Sequence, residues 1–202
     1  MIRIHPLFLV VLMGIAVTGN LAVYSFIILS LVWHEIGHLL AARYVNVKVK
    51  RCIIMPYGGE ITVEHEGTVE PYKWLIIALG GPLATVLGML LTLLLPPLVG
   101  QPLFNIQRIL LLLNLLPIWP LDGGKILCNG LLVLWPKAKV YETFLSLSVC
   151  FLTIIVVVTL LMLPRSASLA VLSLFLWSKV IGEWRIRKYR SAFQKVVMNR
   201  LT

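Results

Sequence analysis

No charged side chain occurs between Lys73 and Arg108, and none occurs between Glu142 and Arg165. Each run exceeds the ~20 apolar residues that carry a helix across a hydrocarbon core of ~30 Å. Inside lipid no water satisfies the backbone, so a chain of this kind crosses as helices or as a closed barrel. The long, continuous apolar patterning favours helices. Composition agrees: 59% of the 202 residues are hydrophobic and 13% charged, against about 25% charged in soluble domains. The pattern predicts six transmembrane helices, at 5–18, 21–44, 72–95, 104–134, 143–163 and 167–184. The expected fold is therefore an all-α polytopic membrane protein in one transmembrane domain, 1–202. Its fourth span is broken, and a β-hairpin-like loop joins spans 2 and 3. The first segment, Leu7 to Val17, follows a basic residue as a signal peptide would. It lacks a clear small-residue cleavage site and leads straight into the next apolar run, so it reads as a retained helix.

The formal charge of +10 raises nucleic acid as a partner, but the distribution of that charge argues against it. With a cytoplasmic N-terminus, one side of the membrane receives Arg3, Arg43, Lys48, Lys50, Arg51, Lys73, Lys137, Lys139 and the basic tail, 185–202. The other side receives Arg165, with Arg108 just inside a helix. This asymmetry obeys the positive-inside rule and places both termini in the cytoplasm. The basic tail sets topology and touches anionic lipid. Cys52, Cys128 and Cys150 form no paired framework and no C-x-x-C motif, so they read as small apolar residues.

His34-Glu35-Ile36-Gly37-His38 lies within the second span. Histidines four apart on a helix are offset by about 6 Å along the axis and about 40° around it, so both can ligate one Zn²⁺. The glutamate between them then stands beside the metal's open position as general base. Ionisable groups at membrane depth are costly and mark functional sites.

A catalytic zinc takes three protein ligands and leaves a fourth position for water. Asp122, the chain's sole aspartate, is the best third candidate. It sits at the end of Pro117-Ile118-Trp119-Pro120-Leu121, just before Gly123-Gly124, where prolines and glycines should break the fourth span. Irregular backbone at that depth is tolerated where it is buried in protein or lines a wet cavity. The bland alternative for Asp122 is a helix cap or an ion pair with Lys125. His5 and His65 have no spaced partner and receive no metal role. The catalytic core is expected at 21–135, followed by C-terminal helices at 143–184.

Between spans 2 and 3, Val45 to Glu70 alternates apolar and polar residues around Met55-Pro56-Tyr57-Gly58-Gly59. Period-two patterning about a glycine turn reads as a hairpin, whose edge can pair with an extended peptide. A plain cytoplasmic connection is the alternative. From His38 to Arg43 the helix rises about 7–8 Å. The metal site therefore lies within the bilayer near the cytoplasmic face, and a helical substrate must unwind there before cleavage.

His34-Glu35-Ile36-Gly37-His38 in one span, with Asn114-Leu115-Leu116-Pro117-Ile118-Trp119-Pro120-Leu121-Asp122-Gly123-Gly124 in a later one, resembles the site-2 protease family of intramembrane zinc metalloproteases. The resemblance covers most of the chain and includes Gly58-Gly59 and Gly81-Pro82. It implies His34, His38 and Asp122 as zinc ligands and Glu35 as catalytic base. It also implies that Asn114, Pro117 and Pro120 lie beside bound substrate, with Gly58 and Gly59 in a membrane-associated loop near the active site. Within the family the chain looks most like the sporulation proteases of endospore-forming bacteria, which process pro-sigma-K. The bacterial cell membrane, and for that branch the membrane surrounding the forespore, is the implied location, and membrane-bound inhibitor or regulator proteins are implied partners. Those proteases carry a nucleotide-sensing CBS domain after the last helix. Here only a short basic tail follows, so nucleotide control is not part of the expectation.

The leading expectation is an intramembrane zinc endopeptidase acting on a membrane-associated precursor, plausibly a pro-sigma factor. Two other classes compete. A non-catalytic metal-binding or interaction protein of the same fold would not need Glu35. A metal transporter would need a chain of polar residues continuing across the bilayer, and none is evident on the side opposite Arg43.

Overall fold

The computed structural model describes residues 2–4, 21–55, 58–63, 69–164 and 166–201. In chain order its elements are β1 (Ile2–Ile4), α1 (Leu21–Tyr44), β2 (Val49–Met55), β3 (Gly58–Val63), α2 (Pro71–Thr92), α3 (Pro97–Asn114), α4 (Asp122–Leu134), α5 (Ala138–Leu161) and α6 (Ala167–Leu201). Among the described residues, three helical stretches are long and apolar enough to cross a membrane: Ala22–Tyr44, Pro71–Thr92 and Lys139–Leu161.

The N-terminal half is built where α1 crosses α2. Gly37 and Gly80 meet there. A Cβ on either would strike the other's carbonyl, and one on Gly80 would also strike the Ala41 methyl. Without a hydrophobic driving force between helices in lipid, such small residues let backbones approach closely. The indole N–H of Trp33 donates to the Ala84 carbonyl at 2.6 Å and pins the same crossing. Leu83, Leu87 and Leu90 on the far side of α2 are exposed, as a lipid-facing surface requires.

The break expected in the fourth span is seen between α3 and α4. Residues 115–121 fold back on themselves, with Ile118 N–H donating to Leu116 O and Leu121 N–H to Ile118 O. Lys125 N–H then donates to Leu121 O as α4 begins. Gly123 packs against the Leu115 and Leu116 carbonyls and Gly124 against the Ile118 carbonyl, leaving no room for a side chain at either. Ile118, Leu121 and Cys128 join Tyr141, Leu145, Leu152, Leu176 and Val180 in a buried cluster. That cluster seats the break against α5 and α6.

α5 and α6 form an antiparallel pair stitched by polar contacts. Trp177 Nε1–H donates to Thr153 Oγ1 at 2.9 Å and Trp184 Nε1–H to Ser146 Oγ at 3.1 Å. The hydroxyls of Thr159 and Ser173 lie 3.1 Å apart.

Several expectations change. The chain is mostly but not wholly helical, because β1, β2 and β3 form one three-stranded sheet in that order. β2 and β3 pair antiparallel, Met55 opposite Gly58 and Ile54 opposite Gly59, with an irregularity between Val49 and Arg51. The glycine pair thus belongs to a strand, not to the turn. β1 joins β2 in parallel, Ile2 opposite Cys52 and Ile4 opposite Ile54. The third span ends at Thr92, and the fourth region begins at Pro97. The sixth span and the basic tail are one helix, Ala167–Leu201. The first expected span, 5–18, lies outside the described residues.

Candidate metal centre

α1, α2 and α4 each bring one part of the site. α1 supplies His34 and His38 on one face, and their rings meet edge to face with centroids 4.8 Å apart. α4 starts at Asp122, which the folded-back segment projects onto that face. Asp122 Oδ2 lies 2.9 Å from His34 Nε2 and 3.1 Å from His38 Nε2. The two Nε2 atoms are 3.2 Å apart. All three residues are buried, at 1%, 5% and 5% exposure for His34, His38 and Asp122. Glu35, between the histidines in sequence, is buried as well.

α2 fixes the tautomers. His38 Nδ1 lies 2.7 Å from the Ile77 carbonyl and 3.2 Å from the Gly81 N–H; the nearer partner only accepts, which favours a hydrogen on that nitrogen. Thr85 Oγ1 donates its proton to the Gly81 carbonyl at 3.0 Å and therefore accepts from His34 Nδ1–H at 2.8 Å. In the neutral imidazoles both Nε2 atoms then present lone pairs to each other and to the carboxylate. Three electron-pair donors converging without a proton repel one another, and a cation between them removes that repulsion. Two imidazole nitrogens and a carboxylate oxygen are a donor set of catalytic zinc. The ligand atoms lie within 4.8 Å of one another. Orienting each ligand through its second nitrogen is how a protein sets imidazole direction and basicity.

Gly81 makes the space. A Cβ there would strike Nε2 and Cε1 of His38 and Nε2 of His34. The residues present therefore fit a zinc ion by chemistry and by room.

The structure brings together His34, His38 and Asp122 and buries Glu35 with them. Asn114 closes α3 and is buried, Pro117 is exposed and Pro120 half-buried. Gly58 and Gly59 open β3. Sequence reasoning assigned no task to Ile77, Gly81 or Thr85. For Gly81 and Thr85 a signal was present: Gly81, Thr85, Gly88 and Thr92 recur at three and four residues along α2, a stripe of small and polar side chains inside an apolar helix. The ion pair weighed as the alternative for Asp122 is present, with Oδ1 3.6 Å from Lys125 Nζ, while Oδ2 faces the two histidines.

Residues 21–105 match the model of peptidase family M50. Over 195 residues the chain is 30% identical to stage IV sporulation protein FB of Bacillus subtilis, covering 93% of this chain and 67% of that protein. It is 32% identical over 134 residues to a zinc metalloprotease of Methanocaldococcus jannaschii, covering 60% of this chain and 39% of that one. The solved site-2 protease of Methanocaldococcus jannaschii superposes with a TM-score of 0.69 at 25% identity, over 91% of this chain and 90% of that one. The chain thus spans about two thirds of the sporulation protein's length and less than half of the archaeal metalloprotease's.

Proposed function

Because the chain belongs to peptidase family M50, the site-2 family of intramembrane zinc metalloproteases, we propose that it hydrolyses a peptide bond of a membrane-associated precursor near the cytoplasmic face. The observation that carries this reading is the convergence of His34 Nε2, His38 Nε2 and Asp122 Oδ2 within 3.2 Å of one another, buried among apolar helices. These three residues would hold the ion, and Glu35 is the base. Bound zinc supplies Lewis acidity, bringing a water's pKa towards neutrality and polarising the scissile carbonyl. Glu35 takes the proton of the attacking water and returns it to the departing amine. Its burial withholds it from bulk solvent and keeps that proton in the site.

The remaining roles follow from placement. Asn114, Pro117 and Pro120 flank the segment that presents Asp122, where an unwound substrate would lie. β3, opening at Gly58 and Gly59, offers backbone groups at an edge of the sheet for pairing with that strand. Similarity to the sporulation protein favours a pro-sigma factor as the precursor and the membrane around the forespore as the location. The reading includes six spans, with both termini cytoplasmic, in one domain, 1–202, and membrane-bound regulators as partners.

Co-expression with membrane-tethered pro-sigma precursors tests it. Glu35→Gln should lower processing by about 10²–10⁴-fold, the usual contribution of a general base, while the purified variant keeps its zinc. His34→Ala should lose both. Processing by Glu35→Gln at the wild-type rate would overturn the mechanism.

A further inference from the structure

Asp122 offers two oxygens, but only Oδ2 faces the histidines, at 2.9 and 3.1 Å. The other, Oδ1, lies 3.6 Å from the ammonium of Lys125, one turn along α4. The backbone that carries Asp122 has little freedom. Gly123 and Gly124 are wedged against the carbonyls of Leu115, Leu116 and Ile118. What remains is rotation of the carboxylate itself, a soft two-fold torsion, and carboxylates bind metals through one oxygen or two. Lys125 is placed to remove that last freedom. Its side chain is 29% exposed against 7% for Asp122, so it reaches from the buried carboxylate towards the outside of the bundle. A cationic residue within an apolar helix bundle is retained where it has a partner, and Oδ1 is the acidic oxygen within reach.

We propose that Lys125 is a positioning residue that occupies Asp122 Oδ1 and so presents Asp122 to the metal through Oδ2 alone. The proposal rests on the zinc-site reading above. It assigns Lys125 no contact with substrate. Its effect passes through the geometry of one ligand, so metal affinity and coordination number report it directly.

The test uses the full chain purified in detergent, with zinc competed against a chromophoric chelator, for wild type, Lys125→Met, Lys125→Arg and His34→Ala. Methionine keeps the stem and removes the charge. Lys125→Met should bind zinc about tenfold more weakly, the scale on which outer partners of metal ligands act. Lys125→Arg, which keeps the charge, should stay close to wild type. With cobalt(II) in place of zinc, the visible bands of Lys125→Met should weaken as the second oxygen joins and the coordination number rises. The thermal midpoint of zinc-free Lys125→Met should equal that of the zinc-free wild type. Unchanged zinc affinity in Lys125→Met overturns the proposal. So does tighter binding, which repulsion between an ammonium and a nearby cation would give on its own. A parallel fall in zinc-free stability would also overturn it, by assigning Lys125 to folding. If wild type and His34→Ala bind zinc alike, the metal-site reading itself fails. If His34→Ala loses zinc while Lys125→Met is silent, only the positioning role falls.

Discussion

A single hydrogen at Gly81 separates a site with room for a metal from one without. In an exposed helix, replacing glycine by alanine stabilises by roughly 1 kcal/mol, so Gly81→Ala should favour the helix while its methyl displaces both imidazoles. The expected outcome is loss of bound zinc with helical circular dichroism retained, read by metal analysis of purified protein. Thr85→Val acts more gently. It leaves His34 Nδ1–H without its acceptor, and zinc affinity should fall by about 10–100-fold in chelator competition. The convergence of His34, His38 and Asp122 was legible in the sequence because helical spacing fixes which residues share a face, and because one aspartate stands in an otherwise apolar, broken segment. Thr85 and Ile77 were not legible, since hydroxyls and carbonyls on a neighbouring helix acquire a task only when α1 and α2 cross in this register. Lys125 was read as a competitor for Asp122, whereas the two carboxylate oxygens face different partners, Oδ2 the histidines and Oδ1 the lysine.

At the scale of elements, the crossing of α1 and α2 depends on Gly37 and Gly80, and Gly130 supplies the control. A Cβ on Gly80 meets the Gly37 carbonyl and the Ala41 methyl, whereas one on Gly130 in α4 meets nothing within 4 Å. Gly80→Ala should therefore destabilise by about 1–3 kcal/mol, as overpacking does, despite its better helix propensity. Gly130→Ala should be neutral or slightly stabilising. Thermal unfolding of the two variants in detergent separates packing from propensity. The α5–α6 pair should lose little from any single polar contact: Trp177→Phe removes the bond to Thr153 for about 0.6 kcal/mol, the average for such bonds in membranes. α2 and α5 were legible from their uncharged runs, α1 from its apolar flanks around the His-Glu-Ile-Gly-His motif, and the break at 115–121 from its prolines and glycines. β1 was not, because a three-residue strand gets its meaning from β2, far along the chain. α6 was cut short in the sequence reading because polarity marks the end of a span but not of a helix. Arginine, lysine, alanine and glutamine all sustain helix beyond the lipid.

For the whole molecule, the decisive question is which end of the bundle faces the cytoplasm, since His34 and His38 lie nearer the Tyr44 end of α1 than its Leu21 end. His38 precedes Arg43 by about 7–8 Å of helix, and α1 ends one residue later, at Tyr44. β2 follows directly and pairs with β1, so the N-terminal strand belongs to the sheet that leaves the Tyr44 end of α1. α2 then returns from Glu70 and Lys73, which form an ion pair at 3.1 Å, to the turn at residues 93–96. α6 is 35 residues long, about 52 Å at helical rise, which exceeds a ~30 Å hydrocarbon core. If α6 crosses the membrane, its basic end from Arg185 onward extends past the hydrocarbon core. The lysines and arginines of the sheet and of α6 gather on one side if the sheet and the end of α6 are both cytoplasmic, the arrangement that the positive-inside rule favours. A reporter active only in the cytoplasm should therefore work when fused before Met1 or after Thr202. It should fail when inserted between Pro96 and Pro97, where a reporter active only outside should work instead. The reverse pattern would put the zinc site near the external face and would exclude a cytoplasmic precursor as its substrate. Opposite signals at the two termini would mean an odd number of crossings and would remove the first span from the fold.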